Sequence, residues 1–251
     1  MSSTPTVYFI TGAGRGIGLA LVQEAIKKSS VYVFAGARTL SAPLGDIISK
    51  HSDRVSFVPY IAADEAVNQA AAKTIADRFG RVDIILGVAG IADYMGPAVE
   101  TPADSFNEHF KINVTGILVL YQAFASLLGK SSSPKFIPFS SAAASLTAYI
   151  NLPAGYTCYG ASKVALNYVA RKIHFENEWI TCFPLAPGIV QTDMASLNRS
   201  LDKTGTLAPI QDAMAVSPEV AAGLIIDIAD GATRENHGGE FINLDGSKIP
   251  W

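Results

Sequence analysis

The stretch Val7-Tyr8-Phe9-Ile10-Thr11-Gly12-Ala13-Gly14-Arg15-Gly16-Ile17-Gly18 decides the fold. A short β-rich run ends in glycines, and Ile17 to Lys28 follows with apolar residues at helical spacing. Glycines at a strand-to-helix turn let the backbone bend tightly and approach a pyrophosphate, whose charge sits well on a helix N-terminus. A glycine cluster alone serves many ordinary turns. Its position between a first strand and a long amphipathic helix favours the dinucleotide reading.

Outward from this stretch, Val31 to Ala37 and Val55 to Tyr60 read as strands. Val82 to Val88 is nearly all apolar, as a strand buried on both faces must be. Lys135 to Phe139, Trp179 to Leu185 and Glu240 to Leu244 are the remaining strands. Glu65 to Phe79 and Tyr159 to about Asn177 read as helices, and Ser217-Pro218 opens another. Thr101-Pro102-Ala103-Asp104 carries a start signature, an N-cap Thr with Pro in the first turn, for a helix running to about Leu128. Strands alternating with helices imply parallel pairing through right-handed crossovers. The expected architecture is α/β: a doubly wound Rossmann fold with a single parallel seven-stranded sheet flanked by helices. One domain spans residues 1–251, with a substrate lid over about residues 193–216, because the least regular segment, Ser196 to Ala215, holds Gly205 and Pro209.

Composition narrows the function. The 251-residue chain is 49% hydrophobic and 16% charged, with a net charge of -3 and no basic run, which argues against nucleic acid as partner. Apolar runs such as Ile117 to Leu120 fall short of the roughly 20 residues a bilayer span needs, so no membrane is expected. The N-terminus, Met1 to Thr6, is short and polar and leaves no room for a signal peptide. Cys158 and Cys182 are too few for a disulfide framework, pointing to a reducing, cytoplasmic setting. His51, His109, His174 and His237 are scattered without metal-ligand spacing, and no metal is expected.

In a dinucleotide fold, an acid about 20 residues past the glycines would hold the ribose 2′-hydroxyl of NAD. Arg38 occupies that region, with no Asp or Glu nearby, and Arg15 adds a second cation from the glycine loop. A 2′-phosphate needs such partners, so NADPH (NADP+) is the expected cofactor. Further along, Tyr159-Gly160-Ala161-Ser162-Lys163 puts a phenol and an ammonium four residues apart, on one helical face. A neighbouring cation favours the phenolate and is expected to lower the phenol's pKa toward neutrality.

At this point the chain resembles the short-chain dehydrogenases/reductases over essentially its whole length. The resemblance rests on Thr11 to Gly18, the Ala89-Gly90 turn, Asn113 in Lys111-Ile112-Asn113-Val114, and Ser140-Ser141. It continues through Tyr159 with Lys163 and through Pro187-Gly188-Ile189-Val190-Gln191-Thr192. Tyr159 to Tyr168 and the Pro-Gly segment are similar to a fungal branch, the norsolorinic acid ketoreductase-like enzymes. The resemblance implies that Ser141 hydrogen-bonds a substrate carbonyl, Tyr159 protonates it, and Lys163 tunes the phenol and binds the nicotinamide ribose. Asn113 would hold a water joining Lys163 to solvent. Gly12, Arg15, Gly16, Ile17, Gly18, Arg38, Ala89 and Gly90 would contact the cofactor with Asn113, Tyr159 and Lys163, and Pro187, Gly188, Ile189 and Thr192 would hold its nicotinamide end. It also implies a homodimer or homotetramer through the helices around Asn107 to Leu128 and Tyr159 to Asn177, whose apolar faces could, from the sequence alone, equally cover the sheet.

The sequence departs from the family pattern in three places. The usual Asn-Asn-Ala-Gly turn is Gly87-Val88-Ala89-Gly90. The acid expected near the adenine is Ile61, with Asp64 close by. Ser141 precedes Tyr159 by 18 residues, beyond the common spacing, which makes Ser140 and Ser145 rivals for the serine role. Tyr94, Met95, Tyr149, Ile150, Leu152, Tyr156 and Met194 come from segments that converge at the strand ends, and a pocket of such residues suits a hydrophobic or aromatic ketone. The expected function is therefore NADPH-dependent reduction of a small-molecule carbonyl substrate, with a place in secondary metabolism. The alternatives are imine reduction, a non-redox biosynthetic reaction on the same fold, or a non-catalytic NADP(H)-sensing regulator.

Overall fold

The computed structural model describes residues 4–251; Met1 to Ser3, part of the short polar N-terminus, lie outside the described residues. Its centre is strand β1 (Thr6–Thr11), whose side chains alternate between two buried faces. Tyr8 and Ile10 point into one apolar layer, with Leu21, Val22, Ile225 and Ile226. Val7 and Phe9 point into the other, with Phe124, Phe136 and Leu166, and the Phe9 ring stacks on Phe124 at 4.7 Å. A strand covered on both sides has no polar face, which is why these runs are apolar throughout.

Strands β2 (Val31–Ala37), β3 (Val55–Pro59), β4 (Ile84–Gly87), β5 (Lys135–Pro138) and β6 (Thr181–Cys182) join β1 in a six-stranded parallel sheet of order β3-β2-β1-β4-β5-β6. Helices α1 (Gly16–Ala25) and α9 (Pro218–Gly231) pack together on the first face, joined there by α2 (Ala42–Lys50). Helices α3 (Glu65–Phe79), α5 (Gly116–Leu128) and α6 (Thr157–Glu176) cover the second.

The seventh strand is where expectation and structure part. The run Trp179 to Leu185 is broken: β6 stops at Cys182, and β7 (Leu185–Ala186) pairs with β8 (Ile242–Asn243) as a separate two-stranded ladder. Pro184 lies at the break and has no N–H to donate. Single contacts, Phe139 beside Leu185 and the Ser140 N–H to the Leu185 carbonyl at 2.7 Å, keep the ladder aligned with the main sheet.

Three other elements differ from expectation. Helix α4 (Ala103–Phe110) starts from Pro102, and Thr101 donates its hydroxyl back to the Pro97 carbonyl instead of capping. Between α4 and α5, Lys111–Thr115 forms a π-helical turn in which the Gly116 N–H reaches the Lys111 carbonyl five residues back. Residues 193–216 are regular: α7 (Asp193–Leu201) and α8 (Leu207–Met214) fill the segment, and Pro209 sits in the first turn of α8, where a missing N–H costs nothing. The span Ala103–Leu128 is long and apolar enough to cross a membrane by length and composition, which the short apolar runs did not suggest. Half of its most apolar window is buried, and Ile117, Leu120 and Phe124 belong to the core beside α3 and the sheet.

Candidate active site

The strand order reverses between β1 and β4, and in open α/β sheets ligands bind at that reversal, beyond the carboxyl ends of the strands. Here the two strand ends are tied together: the Thr11 hydroxyl oxygen accepts from the Val88 and Ala89 N–H groups at 2.9 and 3.1 Å. Gly12 adopts φ +67°, and a Cβ on it would stand 3.1 Å from the Ala89 nitrogen. Only glycine suits both the conformation and the space. Gly18 is buried, and a Cβ there would run into the Gly12 carbonyl, so α1 starts tight against the loop.

The N-cap of α1 is Arg15, in extended conformation with no side-chain cap, and no acid stands in the first turn. The opening N–H groups around Gly16, Ile17 and Gly18 therefore have no side-chain acceptor, an arrangement that fits a phosphate. The Ser41 hydroxyl, unnoticed in the sequence, donates to the Gly14 carbonyl at 2.7 Å and braces the loop.

Arg38 follows the last residue of β2 and is exposed. The end of β2 adjoins the loop, since a Cβ on Gly14 would lie 3.6 Å from that of Ala37. Arg15 is also exposed, but its Nη1 is paired with Asp193 Oδ2 at 3.1 Å. The sequence points both guanidiniums at one ligand, whereas the fold brings an acid 178 positions away to Arg15.

On α6, Tyr159 and Lys163 lie one turn apart, and Lys163 is only 4% exposed. Its Nζ donates to the Phe139 carbonyl at 2.6 Å and stands 5.6 Å from the Tyr159 ring centroid. Burial pushes the ammonium down to about 7, because a charge removed from water is disfavoured. The Tyr159 phenol moves upward from its ordinary value, driven by burial and opposed by the neighbouring Ser141 hydroxyl. This corrects the sequence-based expectation of a lowered phenol: burial outweighs a Lys Nζ that is engaged with Phe139.

Asn113 is fully buried within the π-helical turn. Its Oδ1 accepts from the Ile91 N–H at 2.9 Å, while its Nδ2 donates to the Ile91 carbonyl and to Ser162 Oγ, each at 3.0 Å. A Cβ on Gly90 would come 3.0 Å from Asn113 Oδ1 and 3.5 Å from Lys163 Nζ. The missing side chain of Gly90 thus leaves room for both Asn113 and Lys163 beside the turn.

The three serines differ in their partners. Ser140 is buried and donates to Asn167 Oδ1 at 2.6 Å. Ser145 is buried and donates to the Pro250 carbonyl at 2.7 Å. Ser141 is partly exposed, accepts from the Ala143 N–H at 3.2 Å and meets the Tyr159 phenol.

Pro187, Gly188 and Ile189 continue from β7 toward α7. Gly188 has φ +71°, and the Val216 N–H donates to the Ile189 carbonyl at 3.0 Å. Thr192 caps α7 through Ala195, and a Cβ on Gly16 would touch its methyl at 3.4 Å. Of the candidate pocket residues, Met95 is buried, and the backbone of Gly96 pairs alongside Gly155 and Tyr156. The Tyr156 ring lies 5.5 Å from that of Tyr159, whereas Tyr149, Ile150, Leu152 and Met194 are exposed. Asp64 caps α3 by accepting from Val67, and Ile61 is 40% exposed.

A family model described as short chain dehydrogenase matches residues 6–202. The chain is 33% identical to the norsolorinic acid ketoreductase of Aspergillus parasiticus, covering 98% of this chain and 91% of that protein. It is 35% identical to an uncharacterized oxidoreductase of Schizosaccharomyces pombe over the full length of both. Among solved structures, the NADPH-bound carbonyl reductase from chicken fatty liver superposes with a TM-score of 0.84 at 26% identity, covering 98% of this chain and 99% of that one.

Proposed function

This chain belongs to the short-chain dehydrogenase family and is an oxidoreductase, and from that premise we propose that it is an NADPH-dependent ketoreductase. Its substrate in this reading is a ketone or related carbonyl on a small hydrophobic or aromatic molecule of secondary metabolism. The observation that carries the reading is the meeting of Ser141, Tyr159 and Lys163 at the carboxyl end of the sheet, with Asn113 and Lys163 converging on Gly90. The chicken carbonyl reductase binds NADPH and the Aspergillus protein is a ketoreductase, which supports the choice of cofactor and of reaction.

The residues present fit the cofactor. The uncapped start of α1 and the glycines against Ala89 leave backbone N–H groups to a pyrophosphate, and Arg38 stands where a 2′-phosphate needs a cation. Ala89, Gly90, Pro187, Gly188, Ile189 and Thr192 would line the nicotinamide end. Bound NADPH supplies the hydride.

The protein's own contribution is to the oxygen. Ser141 Oγ donates a hydrogen bond to the carbonyl oxygen, stabilising the negative charge that develops there. The phenol, held protonated by burial, gives its proton to that oxygen, a downhill transfer because an alkoxide is more basic than a phenolate. Lys163, poised near neutrality, returns a proton toward the phenolate, and Asn113, fixed by Ile91 and Ser162, holds this side of the site in register.

Tyr159→Phe is the test. Turnover of NADPH with a panel of aromatic ketones should vanish while NADPH binding, read by its fluorescence, stays within about twofold of the parent. A fully active variant would defeat the proposal.

A further inference from the structure

The cofactor reading treats Arg15 as a partner for phosphate, yet the side chain is already engaged by Asp193 at 3.1 Å. The two residues are 178 positions apart, so the pairing is made by the fold and not by local sequence. Asp193 is the first residue of α7, directly after its Thr192 cap, and the Thr192 methyl abuts Gly16 at the start of α1. The N-termini of α1 and α7 therefore lie close together. Each carries positive partial charge, and the Asp193 carboxylate beside them is paired with Arg15.

We propose that Asp193 is a specificity-determining residue: its carboxylate competes with the cofactor's 2′-phosphate for Arg15 and holds NADPH affinity below what the two arginines could give. The proposal rests on the NADPH reading of the site. Both partners are exposed, 74% and 78%, so the ion pair is weak and exchangeable, as a competitor must be. A carboxylate left behind after Arg15 turns to a phosphate also repels that dianion. An incoming NADH has no 2′-phosphate and leaves the pair intact. The competition is thus specific to the phosphorylated cofactor. The same exchange loosens the tie between the glycine loop and α7, since a guanidinium turned to the phosphate gives up its Nη1 contact with Asp193.

The test is a set of dissociation constants for NADPH and NADH, measured by fluorescence or calorimetry on the full chain without substrate. Asp193→Asn should tighten NADPH binding by about three- to fivefold, the scale of an exposed ion pair, and change NADH by less than about twofold. Asp193→Glu, which keeps the charge, should bind like the parent. In an Arg15→Gln background the gain from Asp193→Asn should disappear. An unchanged NADPH constant in Asp193→Asn overturns the proposal, as does an equal gain for NADH or a gain that survives in Arg15→Gln. A parent chain that binds neither nucleotide, or prefers NADH, would instead sink the cofactor reading itself.

Discussion

Replacing Lys163 by Met should alter the pH dependence of stability, quite apart from activity. Lys163 is 4% exposed, and burial pushes its ammonium from 10.5 to about 7. Between those values the unfolded chain binds a proton that the folded chain does not, so stability rises with pH across that window. Below about pH 7 the full penalty of charging a buried Lys is present, about 5 kcal/mol for a shift of this size. From about pH 7 to about pH 9, linkage gives a gain of about 2 kcal/mol in the parent. Lys163→Met keeps the aliphatic stem and has no such proton. The variant also leaves the Phe139 carbonyl without its donor, a loss of about 1–3 kcal/mol that does not depend on pH and cancels from the slope. Urea unfolding of both proteins across this range, without cofactor, measures the difference directly. The parent should gain about 2 kcal/mol relative to the variant. Parallel curves, within about 0.5 kcal/mol, would show that Lys163 is not held in a poorly solvated site, and the account of its protonation would fail.

Three further substitutions probe the site. Arg38→Asp should weaken NADPH and favour NADH, moving the ratio of their kcat/KM values by tenfold or more (about 1.4 kcal/mol); an unchanged ratio would refute the role given to Arg38. Ser141→Ala should lower kcat by about a hundredfold or more with little change in Tm, the usual effect of losing one oxyanion donor. Ser140→Ala should do the reverse, because it strips Asn167 of a buried hydrogen bond, about 1–3 kcal/mol, while leaving the substrate oxygen its donor. Equal activity losses in the two variants would undo the distinction between these serines.

Much of the fold was legible because its signals are local. The apolar, β-rich run of Val7 to Ile10 and the glycines after Thr11 act within one strand and one turn, and β1 and the dinucleotide loop follow from them. The pairing of Tyr159 with Lys163 is equally local, a matter of helical spacing. Two further features are written in the sequence by proline. Ser41 and Pro43 announce α2, and Pro184 inside an apolar run marks the interruption that leaves six strands plus a ladder of two. Residues 193–216 looked irregular because Gly205 and Pro209 suggest a loop, yet Pro209 falls where a helix tolerates it.

What the sequence could not reveal are pairings made across the fold. Asp193 finds Arg15, Ser41 finds Gly14, and Asn113 finds Ile91 only once the chain is assembled. The choice among Ser140, Ser141 and Ser145 is of the same kind. Three neighbouring hydroxyls look alike until burial and partners separate them. The direction of the phenol's shift is likewise hidden, because the sequence displays the cation and not the burial.

The widened turn at Lys111–Thr115 acts as a phase shifter in an otherwise continuous rod. Each residue advances an α-helix by about 100°, so one surplus residue decouples the azimuth of α4 from that of α5. Asn113 is aimed inward at Ile91 while the apolar stripe of Ile117, Leu120 and Phe124 still meets the sheet. Deleting one residue from this turn would let regular helix run through, and the stripe and the amide would then demand incompatible rotations of the same rod.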